Sequence, residues 1–133
     1  FMVAKQTVAN TDTQIVYEYS RTENVRIIVG FRDNKFYSEV KNGADTLLLN
    51  SLDSSSYGLL CTSLSVSGST GTLTTSVNGG GNSVSSDASW IGFTYDALPH
   101  NIGGDGTTFG AVDVGELIVF NRALTENEKF KIY

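Results

Sequence analysis

Short stretches of alternating apolar and polar residues, separated by turn-forming residues, constrain the fold of this chain more than any other feature. Alternation of this kind puts every second side chain on the same face of a strand. In the first such stretch, Gln14–Tyr19, the residues Ile15, Tyr17 and Tyr19 share a face. The other predicted strands are Val25–Phe31, Lys35–Lys41, Leu47–Leu49, Tyr57–Val66, Thr72–Val77, Trp90–Tyr95, a short piece around Ile102, and Gly115–Phe120. Many short strands at this spacing predict a sandwich or a barrel.

The turn signals between these stretches are local and specific. Asp33 and Asn34 tolerate left-handed backbone angles, so Arg32–Lys35 predicts a tight turn between two paired strands. Asn78–Asn82 is the strongest turn signal, and we expect a flexible segment from there to Ser89. Gly103–Gly106 predicts another loop.

Composition supports the same fold class. Ser, Thr, Asn and Gly number 15, 14, 10 and 14 among 133 residues, and charged residues make up only 17%. These small residues are poor helix formers and favour strands and turns. The length suits one domain spanning residues 1–133.

Charge and hydropathy exclude two classes of partner. The net charge is −5, without the clustered Lys and Arg that bind phosphate backbones, so we expect no nucleic-acid partner. No apolar run approaches the 18 residues of a membrane span, so we expect no membrane insertion. The single cysteine, Cys61, lies in an apolar stretch and is predicted to be a small buried core residue.

The end of the chain changes character. Thr125 followed by Glu128 forms a capping box. The Thr125 hydroxyl accepts a hydrogen bond from the Glu128 backbone amide, and the Glu128 carboxylate accepts one from the Thr125 backbone amide. The sequence therefore predicts one short C-terminal helix packed on an otherwise all-β, antiparallel two-sheet sandwich.

Three motifs, in this order, resemble the laminin-G-like jelly roll of the concanavalin A-like lectin/glucanase superfamily. They are the strand-ending turn Ser76-Val77-Asn78-Gly79, the stretch His100-Asn101-Ile102-Gly103-Gly104, and Phe109-Gly110 followed by Gly115-Glu116-Leu117-Ile118-Val119-Phe120-Asn121-Arg122-Ala123-Leu124-Thr125-Glu126-Asn127-Glu128. In addition, Phe1–Lys5 is similar to a strand from the middle of that domain. The resemblance implies a jelly roll that lacks the family's first strands and exposes a sheet edge, which is a site for pairing.

The resemblance does not extend to an enzyme. Glucanases of the superfamily place closely spaced carboxylates on one strand, as in Glu-x-Asp-x-Glu, and no strand here carries that pattern. Glu126 and Glu128 stand two apart but begin a helix, where they cap it. We therefore expect no catalytic residues.

A sugar site needs an aromatic surface for the C–H face of a pyranose and polar groups for its hydroxyls. The residues Trp90, Tyr95, Asp96 and His100 lie within eleven positions of loop-rich sequence and are the predicted ligand contacts. A second role stays open for Trp90, as a buried core residue. Tyr17, Tyr19, Phe36 and Tyr37 are predicted to lie in the core or on a sheet face.

Calcium is the one cofactor that the sequence suggests. Calcium takes oxygen ligands, and Asn101 and Asp105 lie beside flexible carbonyls in a loop, with Asp12, Asp96 and Asp113 as further candidates. No Asp-x-Asp-x-Asp-Gly run accompanies them, and turn formation explains the same residues.

These features together predict a non-catalytic carbohydrate-binding or adhesion module, with a glycan or cell-surface ligand, in a larger secreted, cell-surface or phage virion protein. An acidic, Ser/Thr-rich chain without an Asn-x-Ser/Thr sequon is typical of bacterial or phage surface proteins. The alternative is a structural or oligomerisation domain whose partners are other protein chains of an assembly. An unpaired edge strand would favour that alternative.

Overall fold

The structure is a computed structural model that describes residues 1–7, 12–22, 25–43, 45–53, 57–80, 83–88, 90, 100–104 and 111–132. The strands are β1 (Met2–Gln6), β2 (Gln14–Thr22), β3 (Val25–Arg32), β4 (Lys35–Asn42), β5 (Asp45–Asp53), β6 (Gly58–Ser67), β7 (Thr70–Val77), β8 (Ser83–Asp87), β9 (His100–Ile102) and β10 (Val112–Leu117), and the helix is α1 (Glu126–Lys129). Within these residues no helix is long and apolar enough to cross a bilayer.

The strands form two five-stranded sheets. Sheet 1 has the order β10-β1-β6-β7-β8, and sheet 2 has the order β5-β4-β3-β2-β9. Every pairing is antiparallel, and side chains from both sheets meet in a shared core. The predicted all-β two-sheet sandwich with one short helix is therefore confirmed.

The hairpin of β3 and β4 shows how sequence sets the register of sheet 2. Asp33 and Asn34 both have positive φ, 52° and 60°, as a two-residue hairpin turn with matching twist requires. Arg32 consequently pairs with Lys35, and the pairing continues without a shift to Val25 and Asn42. The predicted tight turn is confirmed.

The turn after β7 ties two strands of sheet 1 together. Asn78 and Gly79 have φ of 52° and 69°, and the Gly80 amide donates to the Val77 carbonyl at 2.9 Å. The Asn78 side chain accepts from the Leu59 amide at 2.8 Å. The predicted turn is confirmed for Asn78–Gly80, and residues 81 and 82 of the predicted segment lie outside the described residues.

Three expectations about element boundaries need correction. Residues after Asn82 were expected to be flexible, but Ser83–Asp87 is strand β8, because its backbone pairs with β7 from Gly71 to Thr75. The last strand is Val112–Leu117 rather than Gly115–Phe120. Of the strand predicted at Trp90–Tyr95, residues 91–95 lie outside the described residues, and Trp90 itself is not in a strand.

The capping box at the C-terminus is confirmed. The Glu128 amide donates to the Thr125 hydroxyl at 3.4 Å, and the Thr125 amide donates to the Glu128 carboxylate at 2.9 Å. Helix α1 contains only four residues, so these bonds satisfy much of its N-terminus.

The described residues form three buried hydrophobic clusters, of which the smallest comprises Ile15, Ile28 and Tyr37. The first cluster comprises Met2, Ala4, Val16, Phe31, Phe36, Leu60 and Val77. The second comprises Val40, Leu47, Leu49, Leu73 and Trp90. The predicted burial of Cys61, Tyr17, Tyr19, Phe36 and Tyr37 is confirmed.

Trp90 is the largest side chain of the second cluster and only 2% exposed. It packs over Gly71 of β7, where an added Cβ would lie 2.5 Å from the indole Cγ. Its Nε1 is buried without a hydrogen-bond partner among the described residues. The ring therefore has the core role rather than a position at the surface.

We predict that Trp90→Ala lowers the free energy of unfolding by about 3–5 kcal/mol, because it leaves a ring-sized cavity. Trp90→Phe is the matched control and should cost less, since Nε1 has no bond to lose. Gly71→Ala should cost about 1–3 kcal/mol through the clash with the indole. Urea denaturation of the variants measures these changes. A Trp90→Ala protein that unfolds at the wild-type urea concentration would contradict the packing role.

Candidate functional site

The edge strand β9 brings the only histidine to the surface beside two tyrosines. His100 pairs with Tyr19 and Ile102 pairs with Tyr17 along the β9–β2 ladder. The Tyr17 hydroxyl and His100 Nδ1 are 2.7 Å apart, and the His100 and Tyr19 ring centroids are 5.3 Å apart. Both tyrosines are buried while His100 is exposed. The two buried tyrosines therefore contact the imidazole on its protein side, and the ring remains exposed to solvent.

Asn101 adds a polar side chain on the other face of β9. It is half-buried and pairs with Glu18 of β2, so its side chain leaves β9 on the face opposite to that of His100. Ile102, the last residue of the strand, is 69% exposed. Imidazole and amide thus occupy both faces of one short edge strand.

Of the predicted ligand contacts, the structure describes His100 at the surface and Trp90 in the core. Tyr95 and Asp96 lie outside the described residues. The predicted calcium ligand Asp105 also lies outside them, and Asn101 is the described member of that pair. Among the described residues, no group of three His, Cys, Asp or Glu side chains is positioned to hold a metal ion. Asp113 instead contacts Lys5 at 3.5 Å.

A charged cluster on the outer face of sheet 2 was not identified from the sequence. Arg26 Nε donates to Glu39 Oε1 at 2.7 Å, and the Tyr37 hydroxyl donates to the other carboxylate oxygen. Arg32 lies over the Tyr37 ring, 5.6 Å from its centroid. The sequence does contain a pattern that could have predicted this cluster, because the turn at Asp33 and Asn34 determines which residues of β3 and β4 share a face.

Burial governs the electrostatics of this cluster. Burial, followed by the hydrogen bond and charge of Glu39, raises the pKa of Tyr37 above its ordinary value. Burial lowers the pKa of Arg26, but the hydrogen bond and charge of Glu39 outweigh it, so the net shift is upward. Both Glu39 oxygens are engaged, so this carboxylate links β3 to β4 and supports the sheet.

His100 also lies at the rim of a cleft between the two sheets, which we term the inter-sheet cleft. The opposite rim is the C-terminal segment, residues 118–125, which runs from β10 to helix α1. Arg122 in this segment binds the Glu128 carboxylate through both terminal nitrogens, at 2.6 and 2.9 Å. The bidentate pair holds the segment against the start of the helix.

The Glu128 carboxyl is consequently more acidic than an ordinary glutamate. The hydrogen bonds from Arg122 and then from Thr125 lower the pKa of Glu128 from its ordinary 4.5 to about 2. Because the pKa is lower in the folded chain, the ionised carboxylate stabilises the fold fully above pH 4.5. That contribution is lost as the pH falls from there through about 2.

We predict that the Glu128 carboxyl titrates near pH 2 in the folded protein and moves back toward 4.5 in Arg122→Gln. Carbon-13 NMR of the side-chain carboxyls measures both values. The free energy of unfolding should also fall less between pH 4.5 and 2 in Glu128→Gln than in the wild-type chain. In Glu126→Gln, the control on the same helix, most of the wild-type fall should remain. An unshifted Glu128 pKa would contradict the bidentate pairing.

Comparisons with protein-family models, with curated proteins and with solved structures found no match to this chain. The architecture is that of a two-sheet β-sandwich and is compatible with a jelly roll. Its chemistry must therefore be argued from its own residues.

Proposed function

We propose that this chain is a laminin-G-like, non-catalytic carbohydrate-binding or adhesion module of a larger secreted, cell-surface or phage virion protein. The glycan contacts His100 and Asn101 on β9. One observation carries the proposal: an exposed imidazole whose orientation is fixed by the Tyr17 hydroxyl. The laminin-G-like part of the proposal is supported by the motifs at His100–Gly104 and Gly115–Glu128, which resemble those of that family. The two-sheet architecture is compatible with it.

The chemistry of β9 suits a ligand that is polar and uncharged. A pyranose offers an apolar C–H face to a ring and hydroxyls to side-chain donors and acceptors. Tyr17 occupies Nδ1 of His100, so Nε2 is the ring nitrogen that a ligand hydroxyl can bond. A ring already held in place loses little freedom on binding, which favours affinity.

The ligand-contact set is smaller than the sequence predicted. The proposal does not use Trp90, whose side chain is 2% exposed. Tyr95 and Asp96, which follow in the same stretch of chain, stay predictions, as does a calcium ion near Asn101 and Asp105. The proposal rests on His100, with Asn101 as the accompanying polar group.

We predict that His100→Ala weakens glycan binding about tenfold or more, since it removes a hydrogen bond and the exposed ring together. A glycan array identifies the ligand for the wild-type chain, in calcium and again in EDTA, and titration calorimetry gives the affinities. Ser86→Ala, an exposed change on β8, is the matched control and should bind normally. A blank array, or wild-type affinity in His100→Ala, would overturn the proposal.

A second candidate is the structural or oligomerisation domain, and strand β8 favours it. β8 ends sheet 1 and, among the described residues, pairs only with β7. Edge strands of stable monomers are usually protected by charges, proline or short length. β8 has five residues with its one charge at the end, and Val84 is 58% exposed. Such an edge fits antiparallel pairing with β8 of a second copy.

We predict for this candidate a concentration-dependent dimer that Val84→Lys converts to a monomer, because a lysine at the edge opposes pairing. Val114→Lys on β10, the other edge strand of sheet 1, is the matched control and should leave the dimer intact. Sedimentation velocity over a range of concentrations measures both. A wild-type chain that stays monomeric at high concentration would eliminate this candidate.

A further inference from the structure

The two sheets do not close completely. They meet at the hydroxyls of Ser38 and Thr62, which are 2.7 Å apart. Ile27 and Val29 lie on the inner face of β3, the middle strand of sheet 2, yet both are only half-buried, as is Leu64 on β6 of sheet 1. Apolar side chains at such inner positions are buried where two sheets pack at their usual separation of about 10 Å. Ile27, Val29 and Leu64 line the inter-sheet cleft, whose volume is about 630 Å³.

The opening is local, because the core on either side of it is tightly packed. Phe31 and Leu60 in the first cluster and Leu47 and Leu73 in the second are all 0 or 1% exposed. Protein interiors normally contain few voids larger than a water molecule. The volume of the cleft lies in the range of small-molecule sites, 300–1,000 Å³, so a ligand of that size fits it.

The walls of the inter-sheet cleft are mainly apolar, with polar groups at separate points. Deep between the sheets, the Thr62 hydroxyl is 2.7 Å from the Ser38 hydroxyl and 3.3 Å from that of Thr75, so these groups satisfy one another. At the rim stand His100 and its partner Tyr17. An apolar chain fits the walls, and a hydroxyl fits the rim.

The charged side chains that line the described part of the cleft are already paired. Arg122 binds Glu128, and Lys129, itself 7% exposed, binds Glu126 at 2.7 Å. A carboxylate or phosphate head would have to compete with these ion pairs. The lining therefore disfavours fatty acids and other anions relative to uncharged amphiphiles.

We propose that the inter-sheet cleft is a binding site for an uncharged amphiphile, with its alkyl chain between the sheets and its hydroxyl at His100. The site shares His100 with the proposed glycan contact, but its main contacts are Ile27, Val29 and Leu64 between the sheets. Burial of each methylene contributes about 0.8 kcal/mol, which is roughly a fourfold gain in affinity.

The test is a series of 1-alkanols with six, eight and ten carbons, with decanoate as the anionic comparison. Displacement of the fluorescent probe N-phenyl-1-naphthylamine and direct calorimetry both report the affinity. We expect about fourfold tighter binding per methylene and weaker binding of decanoate than of 1-decanol at neutral pH. Affinity that is independent of chain length, or decanoate binding as tightly as 1-decanol, would overturn the proposal.

A cleft-filling variant locates the site. Val29→Phe should abolish binding of 1-decanol, and Val84→Phe, the same change on the exposed strand β8, should retain it. Because Val29→Phe can disturb folding, methyl NMR of the wild-type chain supplies a second measurement. Saturating 1-decanol should shift the methyl signals of Ile27, Val29 and Leu64 and leave that of Val84 in place. Unshifted cleft methyls would overturn the assignment, whatever the outcome of the glycan array.

Discussion

The two-residue turn at Asp33 and Asn34 is the constraint on which the arrangement of sheet 2 depends. A shift of one residue in the pairing of β4 with β3 would exchange the inner and outer faces of β4. Phe36 would then leave the core, and Glu39, the partner of Arg26, would enter it. Positive φ at both turn residues prevents this, because it permits one register with the correct twist.

The core owes its uneven packing to side-chain size along the inner faces. Phe31, Phe36 and Trp90 fill the space on either side, and Gly58 and Gly71 of sheet 1 let these rings approach the backbone. Between them the hydroxyls of Ser38 and Thr62 meet across the sheets at 2.7 Å, whereas Ile27, Val29 and Leu64 stay half-buried. The inter-sheet cleft therefore lies at inner positions that carry aliphatic rather than aromatic side chains.

Local chemistry made much of this fold predictable. The turns at Asp33 and Asn78 depend on their own backbone angles, and the capping box depends on two residues three apart, so the sequence alone predicted them. Strand β8 was missed because Ser83–Asp87 has no apolar alternation, and its extended form depends on pairing with β7. Trp90 packs over Gly71, 19 residues earlier in the chain. The residues near Trp90 in the sequence therefore could not decide between a ligand-binding role and a core role for it.

The candidate site was predictable only in part, for the same reason. His100 stood out as the single histidine in a loop-rich region, which is a property of the sequence. Its fixed orientation is not, because Tyr17 lies 83 residues away and is brought close by the β2–β9 ladder. The cleft and the Arg26–Glu39–Tyr37 cluster likewise depend on registers between strands.

Charge is distributed unequally, and this bears on how recognition and assembly could coexist. No Asp, Glu, Lys, Arg or His occurs between Asp53 and Asp87, the stretch that forms β6, β7 and most of β8. β5 lies against β7 and β8, so β8 is on the β5 side of the sandwich, whereas β9 ends the same sheet as β5 at the far side. A partner strand added to β8, whose one charge is at its end, would therefore leave His100 on β9 open, and the two candidate functions do not compete for one surface.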